Sequence, residues 1–101
     1  MARIRILWTF QAKDDLREIR RFIARDAPRT AIAFVWRLKI AVDRLKDFPG
    51  SGRVVPEIGK PEIREILRGD YRIIYRQRAD RLEILTVFHG ARLLTEDDLR
   101  T

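Results

Sequence analysis

Cysteine is absent from this 101-residue chain, histidine and serine occur once each, and no apolar run approaches the length of a membrane span. Without cysteine there is no disulfide framework, thiolate zinc site or thiol nucleophile, and a reducing compartment is compatible. The single histidine, His89, cannot build a His₂ or His₃ metal centre, and no His-Glu-x-x-His motif occurs. No metal and no cofactor are therefore expected. Ser51, the one serine, lies in Gly50-Ser51-Gly52-Arg53, which lacks the Gly-Lys-Ser/Thr ending of a phosphate-binding loop and reads as a flexible connector. Met1 to Leu7 is too short and too charged for a signal peptide. A soluble, cytoplasmic protein without a membrane partner is the expectation.

Positive charge is abundant. Twenty-two Lys and Arg stand against 15 Asp and Glu, for a formal charge of +7 and a pI near 10.7. A surplus of that size on so small a body calls for an anionic partner: nucleic acid, an acidic protein segment or a membrane surface. Most of the cations are arginine, whose planar fork binds phosphate or carboxylate bidentately and stays charged when partly buried. The length suits one domain, residues 1–101, around one hydrophobic core.

Arg3 to Trp8 alternates charged and apolar residues with the period of a half-buried strand. Thr9 offers an N-cap to a helix whose apolar face is Ala12, Leu16, Ile19 and Ile23, with Arg17, Arg21 and Arg25 on another face. Asp26-Ala27-Pro28 breaks the pattern. A second helix then runs to about Phe48 on Ala31, Phe34, Val35, Leu38, Val42 and Leu45, antiparallel to the first. Strands follow at Ile63–Leu67, Tyr71–Arg78 and Leu82–His89, joined by short turns, and Thr95 with Asp98 suggests a capping box opening a short terminal helix. One sheet with both helices on one face makes an α+β domain.

Register decides what the sheet presents. A two-residue turn at Ala79-Asp80 puts Arg76 opposite Glu83, Ile74 opposite Leu85 and Arg72 opposite Val87. Tyr71, Ile73, Tyr75, Ile84, Thr86 and Phe88 then form the inner face. With a three-residue loop at Arg68-Gly69-Asp70, Arg64 and Ile66 join the Arg72 face; a two-residue loop sends them to the other side. On the first alternative the outer face interleaves Arg64, Arg72, Arg76 and His89 with Ile66, Ile74, Leu85 and Val87. Such a basic and apolar face suits cover by RNA or by an acidic amphipathic peptide.

The chemistry left open by this inventory is metal-free phosphodiester cleavage, with a general base on the 2′-OH, arginine on the transition state and an acid on the leaving oxygen. Gly69-Asp70-Tyr71-Arg72-Ile73-Ile74-Tyr75 resembles the Gly-x-Tyr-Arg-aliphatic-x-Tyr strand of the RelE/ParE toxin superfamily. Val87-Phe88-His89-Gly90-Ala91-Arg92 is similar to its closing strand. Phe48-Pro49-Gly50-Ser51-Gly52-Arg53 and the Trp8–Phe22 stretch are similar to the ParE-like branch. The resemblance implies the toxin of a type II plasmid-stabilisation system, in hetero-oligomeric complex with a ParD-like antitoxin and reaching operator DNA only through it. ParE-like members inhibit DNA gyrase and are not nucleases. RelE-like members cleave ribosome-bound mRNA.

Carried over on that resemblance, Arg72 and Arg92 stand where RelE-like nucleases keep transition-state arginines, and Arg64 where they keep one of two lysines. Ile66 replaces the other lysine and Asp98 the terminal catalytic tyrosine; His89 could serve as acid or base, yet it precedes Gly90 on the strand. The expectation is accordingly a gyrase inhibitor with no catalytic residues. If the chain is a nuclease instead, its set is Arg64, Arg72, His89 and Arg92. The expected antitoxin surface is Arg64, Ile66, Arg72, Ile74, Arg76, Leu85 and Val87, with Trp36 as an outlying contact because it lies off the main helical stripe. A non-toxic basic nucleic-acid-binding module is the remaining alternative; against a helix–turn–helix reading, the second helix is apolar over much of its circumference.

Overall fold

A computed structural model describes residues 4–99; Arg3, the first residue of the expected N-terminal strand, lies outside them. The elements are β1 (Arg5–Trp8), α1 (Phe10–Ala24), α2 (Pro28–Asp43), β2 (Arg53–Val54), β3 (Ile63–Arg68), β4 (Tyr71–Gln77) and β5 (Arg81–His89), with 3₁₀ turns at Arg44–Lys46 and Glu96–Leu99. They form an α+β fold with one mixed sheet ordered β1-β5-β4-β3-β2, in which only β1 runs parallel to its neighbour.

Thr9 caps α1 by accepting from the Ala12 N–H at 3.1 Å, while its hydroxyl donates to the Ile84 carbonyl at 2.7 Å. One side chain thus ties the helix start to the sheet, for about 1 kcal/mol as a cap. Pro28 opens α2 at its first turn, where a missing N–H costs nothing. The regular helix ends at Asp43, short of Phe48, and tightens into the 3₁₀ turn. The expected C-terminal helix is likewise a 3₁₀ turn, and Asp98 does accept from both the Thr95 N–H and the Thr95 hydroxyl.

Two apolar clusters flank the sheet. Leu16 and Ile19 of α1, with Leu38 and Val42 of α2, pack on Ile73, Tyr75, Ile84 and Val87. On the opposite face Val55, Ile63, Ile74, Leu85, Phe88, Leu94 and Leu99 pack together, so the 55–61 loop and the C-terminal segment cover the side expected to lie open. Full burial of an aliphatic side chain contributes roughly 1.5–3 kcal/mol, which makes Ile74 and Leu85, both 0% exposed, part of the folding core.

The register differs from expectation at two places. Ile74 pairs with Thr86 and Tyr75 with Ile84, leaving Leu85 as an extra residue in β5. This bulge switches the downstream alternation: Arg72 faces Phe88, and Val87 turns toward the helices while Phe88 turns away. Asp15 of α1 fits beside the bulge, accepting from the Val87 N–H at 2.9 Å and the Thr86 hydroxyl at 2.5 Å. In the other hairpin Arg68 pairs with Tyr71 across a two-residue Gly69-Asp70 turn, made possible by the positive φ of Gly69 (55°), the pattern of a type II′ turn. Arg64 and Ile66 therefore pair with Tyr75 and Ile73, on the helix-facing side.

Candidate functional site

The sequence-expected site residues are dispersed. Arg72 is 6% exposed and held by carboxylates: its Nε donates to Glu65 at 2.6 Å, and its two terminal nitrogens grip Glu57 at 2.7 and 2.9 Å. Glu65 is itself buried and also accepts from Arg53. The Arg72 guanidinium holds the Glu57 carboxyl down at about 2, and the two glutamates push Arg72 further above its already high value. Arg92 lies against the same aromatic ring as Arg72, with guanidinium carbons 5.2 and 5.4 Å from the Phe88 centroid, and is latched to Asp98 at 2.5 Å. The Thr95 hydrogen bonds, and then Arg92, lower the Asp98 pKa. Asp98 is an ionised strut of the C-terminal segment.

His89 pairs with Tyr71 at the end of the sheet; its Nδ1 accepts from the Ala91 N–H at 3.2 Å, and the two rings meet edge-on. It shares a depression with Arg72, lined also by Arg53, Glu57 and Tyr71. Arg64 is elsewhere: its Nη1 donates to the Gly52 carbonyl at 2.9 Å, fastening the 49–52 segment from below. Tyr75 completes that clasp, its hydroxyl accepting from the Gly52 N–H at 3.0 Å and donating to the Pro49 carbonyl at 2.8 Å. A Cβ at Gly52 would fall 2.6 Å from the Tyr75 oxygen. Gly50-Ser51-Gly52 is a pinned loop in place of the flexible connector expected.

Of the surface expected to meet a partner, Ile74, Leu85 and Val87 are at most 2% exposed, and Ile66 packs against the helix-side core. Arg76 remains at the rim, sharing Glu83 with Arg78 and Arg81. The expected outer face is thus largely internal, because the bulge and the two-residue turn redistribute it and the chain covers the rest.

Trp36 is different. It is 64% exposed on α2 and belongs to a row with Ile32 (57%) and Ile40 (41%), spaced by four residues and left bare by the fold. Beside this row a groove lies between α2 and β1, lined by Ile4, Ile6, Trp8, Val42, Lys39 and Lys46. Through Trp8 and Lys39 it meets an interhelical groove past Leu16, Arg17, Arg20 and Val35, which reaches Ile32 and Trp36. Lys13, Arg20, Arg29 and Lys39 pair with no carboxylate among the described residues. Charge segregates the same way: residues 1–46 carry twelve Lys and Arg against five Asp and Glu, and residues 47–101 carry ten of each. The whole surplus falls within residues 1–46, the stretch that contains β1 and the helical hairpin. That partition, and the second apolar row of α2, were the signals in the sequence for Ile32, Ile40, Arg20 and Lys39.

Among the described residues no helix is long and apolar enough to cross a membrane. The family described as the ParE toxin of the type II toxin–antitoxin system parDE matches residues 6–94. The presumed toxin Y4kP of Sinorhizobium fredii is 44% identical over 92 residues, covering 89% of this chain and 92% of its own. Toxin RelE2 of Caulobacter vibrioides is 34% identical over 89 residues, covering 87% and 97%. A chain from the chromosomal ParDE system of P. aeruginosa has a similar fold, with a TM-score of 0.72 at 21% identity over 85% of this chain and 95% of that one. So does one from the RelBE2 toxin–antitoxin complex of Mycobacterium tuberculosis, at a TM-score of 0.60 and 24% identity over 91% and 97%. With the family match running from β1 past the end of β5 to Leu94, the chain belongs to the ParE toxin family of type II toxin–antitoxin systems.

Proposed function

We propose that this toxin acts by binding its target, with DNA gyrase as that target, and that it does not cleave RNA. The observation that carries the negative half is the engagement of Arg72. A guanidinium that spends its Nε and both terminal nitrogens on Glu65 and Glu57 has little left for a phosphodiester transition state. Ile66 packs into the core where the resemblance puts a lysine, and Asp98 is tied to Arg92 and Thr95 where it puts a tyrosine. Gyrase is the target implied by the resemblance to the ParE-like branch. The test is supercoiling by purified gyrase with the purified toxin, beside primer extension on transcripts after induction. Inhibited supercoiling with no new 5′ ends is expected; codon-internal cuts lost on Arg72→Ala or Arg92→Ala would overturn the reading.

The partner that silences it is an antitoxin whose acidic, amphipathic segment lies on the helical hairpin. Support comes from the concentration of net charge on residues 1–46, the cations of the hairpin that pair with no carboxylate among the described residues, and the bare row Ile32, Trp36 and Ile40. Aromatic and aliphatic anchors supply the affinity at such a seat, and the basic rim supplies steering. The complex is hetero-oligomeric, and operator DNA is contacted through the antitoxin.

A further inference from the structure

We infer that the outer face of the helical hairpin is also a seat for single-stranded nucleic acid, which the free toxin holds by its phosphates and by a base stacked on Trp36. The seat overlaps the antitoxin surface proposed above, but the inference does not depend on that reading. Binding of this kind is independent of nucleotide sequence, so it leaves operator contact with the antitoxin.

Trp36 borders an open depression of about 400 Å³ that Ile32, Val35, Arg20, Arg29 and Lys39 also line. All three cations are exposed, and none pairs with a carboxylate among the described residues. Lys13 is in the same state. It lies two turns before Arg20 on α1 and lines the interhelical groove that Arg20 and Lys39 share with the depression. From Pro28 to Val42, α2 contains no carboxylate. The indole is 64% exposed, and among the described residues no ring stacks on it and no cation covers its face. The core has no use for it, because α2 packs through Leu38 and Val42 on another face.

A single strand offers both things this arrangement takes. Its unpaired bases expose flat faces that stack on aromatic rings whatever their identity, whereas a duplex keeps those faces inside. Its phosphates accept from guanidinium forks and ammonium groups, and each one neutralised releases counterions. Arg20 stands on α1 and Arg29 on α2, so a backbone following the groove meets cations on both banks. The lining holds no carboxylate and no histidine to act as base on a 2′-OH. Binding at this seat therefore accords with a toxin that does not cleave RNA.

The test is fluorescence anisotropy of labelled oligo(dT) and oligo(rU) of about ten nucleotides, within the range of a single-strand site, against the intact toxin. Binding of both is expected; binding of one alone assigns the seat to DNA or to RNA. Affinity should fall with salt at a log–log slope of about −3 if Lys13, Arg20, Arg29 and Lys39 all meet phosphate. Trp36→Leu keeps an apolar side chain but removes the flat face, and should weaken binding about tenfold in a variant shown folded by circular dichroism. Trp36→Tyr should restore most of it. The product of the neighbouring gene should displace the oligonucleotide.

If Trp36→Leu binds as tightly as the parent chain, or if polyglutamate or a duplex of matched length competes as well as the single strand, bulk charge explains the effect and the inference is overturned. The antitoxin reading survives that result provided the neighbouring product still binds and loses affinity in Arg20→Glu with Lys39→Glu. Oligonucleotide binding that depends on Trp36 and persists beside the bound neighbouring product would uphold the inference and place the antitoxin off the hairpin.

Discussion

Glu57, in the loop after β2, clamps both terminal nitrogens of Arg72 and with its Oε2 also accepts from the Leu94 N–H at 3.0 Å. A single carboxylate thus joins the central strand to the C-terminal segment, and the arginine most suggestive of catalysis becomes part of a structural joint. Arg72→Ala would leave Glu65, 1% exposed, without its buried counter-charge. Breaking a buried pair from one side costs on the order of 3–5 kcal/mol. Denaturant unfolding should show that loss, with Arg72→Lys recovering part of it.

The same joint sets an acid limit. The Glu57 carboxyl titrates near 2 in the folded chain, against 4.5 for an unperturbed glutamate. Its contribution to stability is therefore complete above about pH 4.5 and is lost as pH falls toward 2, because the unfolded chain binds the proton first. Unfolding midpoints measured from pH 5 to pH 2 should fall, and Glu57→Gln should flatten that slope while lowering stability at neutral pH.

The clasp on the 49–52 segment makes a third prediction. Tyr75→Phe removes the acceptor for the Gly52 N–H and the donor to Pro49, and should cost about 1–3 kcal/mol. Gly52→Ala should cost a comparable amount, since its Cβ would meet the Tyr75 oxygen and the Glu65 carbonyl inside 3 Å. Paired thermal melts would check both. Unchanged melting in Tyr75→Phe would mean that the loop holds itself.

Much of this was legible in the sequence. The Thr9 cap, the break at Pro28, the hairpin, and the three long strands to within a residue or two follow from local pattern and local chemistry. What escaped depends on contacts distant in sequence. The bulge at Leu85 exists where Asp15, some seventy residues earlier, accepts the groups it displaces. The choice of a two-residue turn at Gly69-Asp70 moved Arg64 and Ile66 across the sheet, and alternation alone cannot choose between turn lengths. The cover over Ile74 and Leu85 comes from Val55, Leu94 and Leu99, residues in stretches without periodicity. Trp36 was visible as a residue off the main stripe, but its companions Ile32 and Ile40 were not singled out.

Non-cleavage is the fourth prediction. Transcripts isolated after induction should show no new 5′ ends, and His89→Ala should leave growth inhibition intact. Loss of toxicity in a folded His89→Ala variant, together with defined cuts, would return the sheet-end depression to the status of an active site.

The central claim is that the anionic partner sits on the helical hairpin and not on the meander. The most direct measurement is titration calorimetry of the antitoxin against two charge-reversal variants, both confirmed folded by circular dichroism. Arg20→Glu with Lys39→Glu alters the hairpin seat; Arg76→Glu with Arg78→Glu alters the meander rim. The account predicts a loss of about tenfold or more for the hairpin pair, steeper at low salt, and little change for the rim pair. Unchanged affinity in the hairpin variant with a large loss in the rim variant would contradict it.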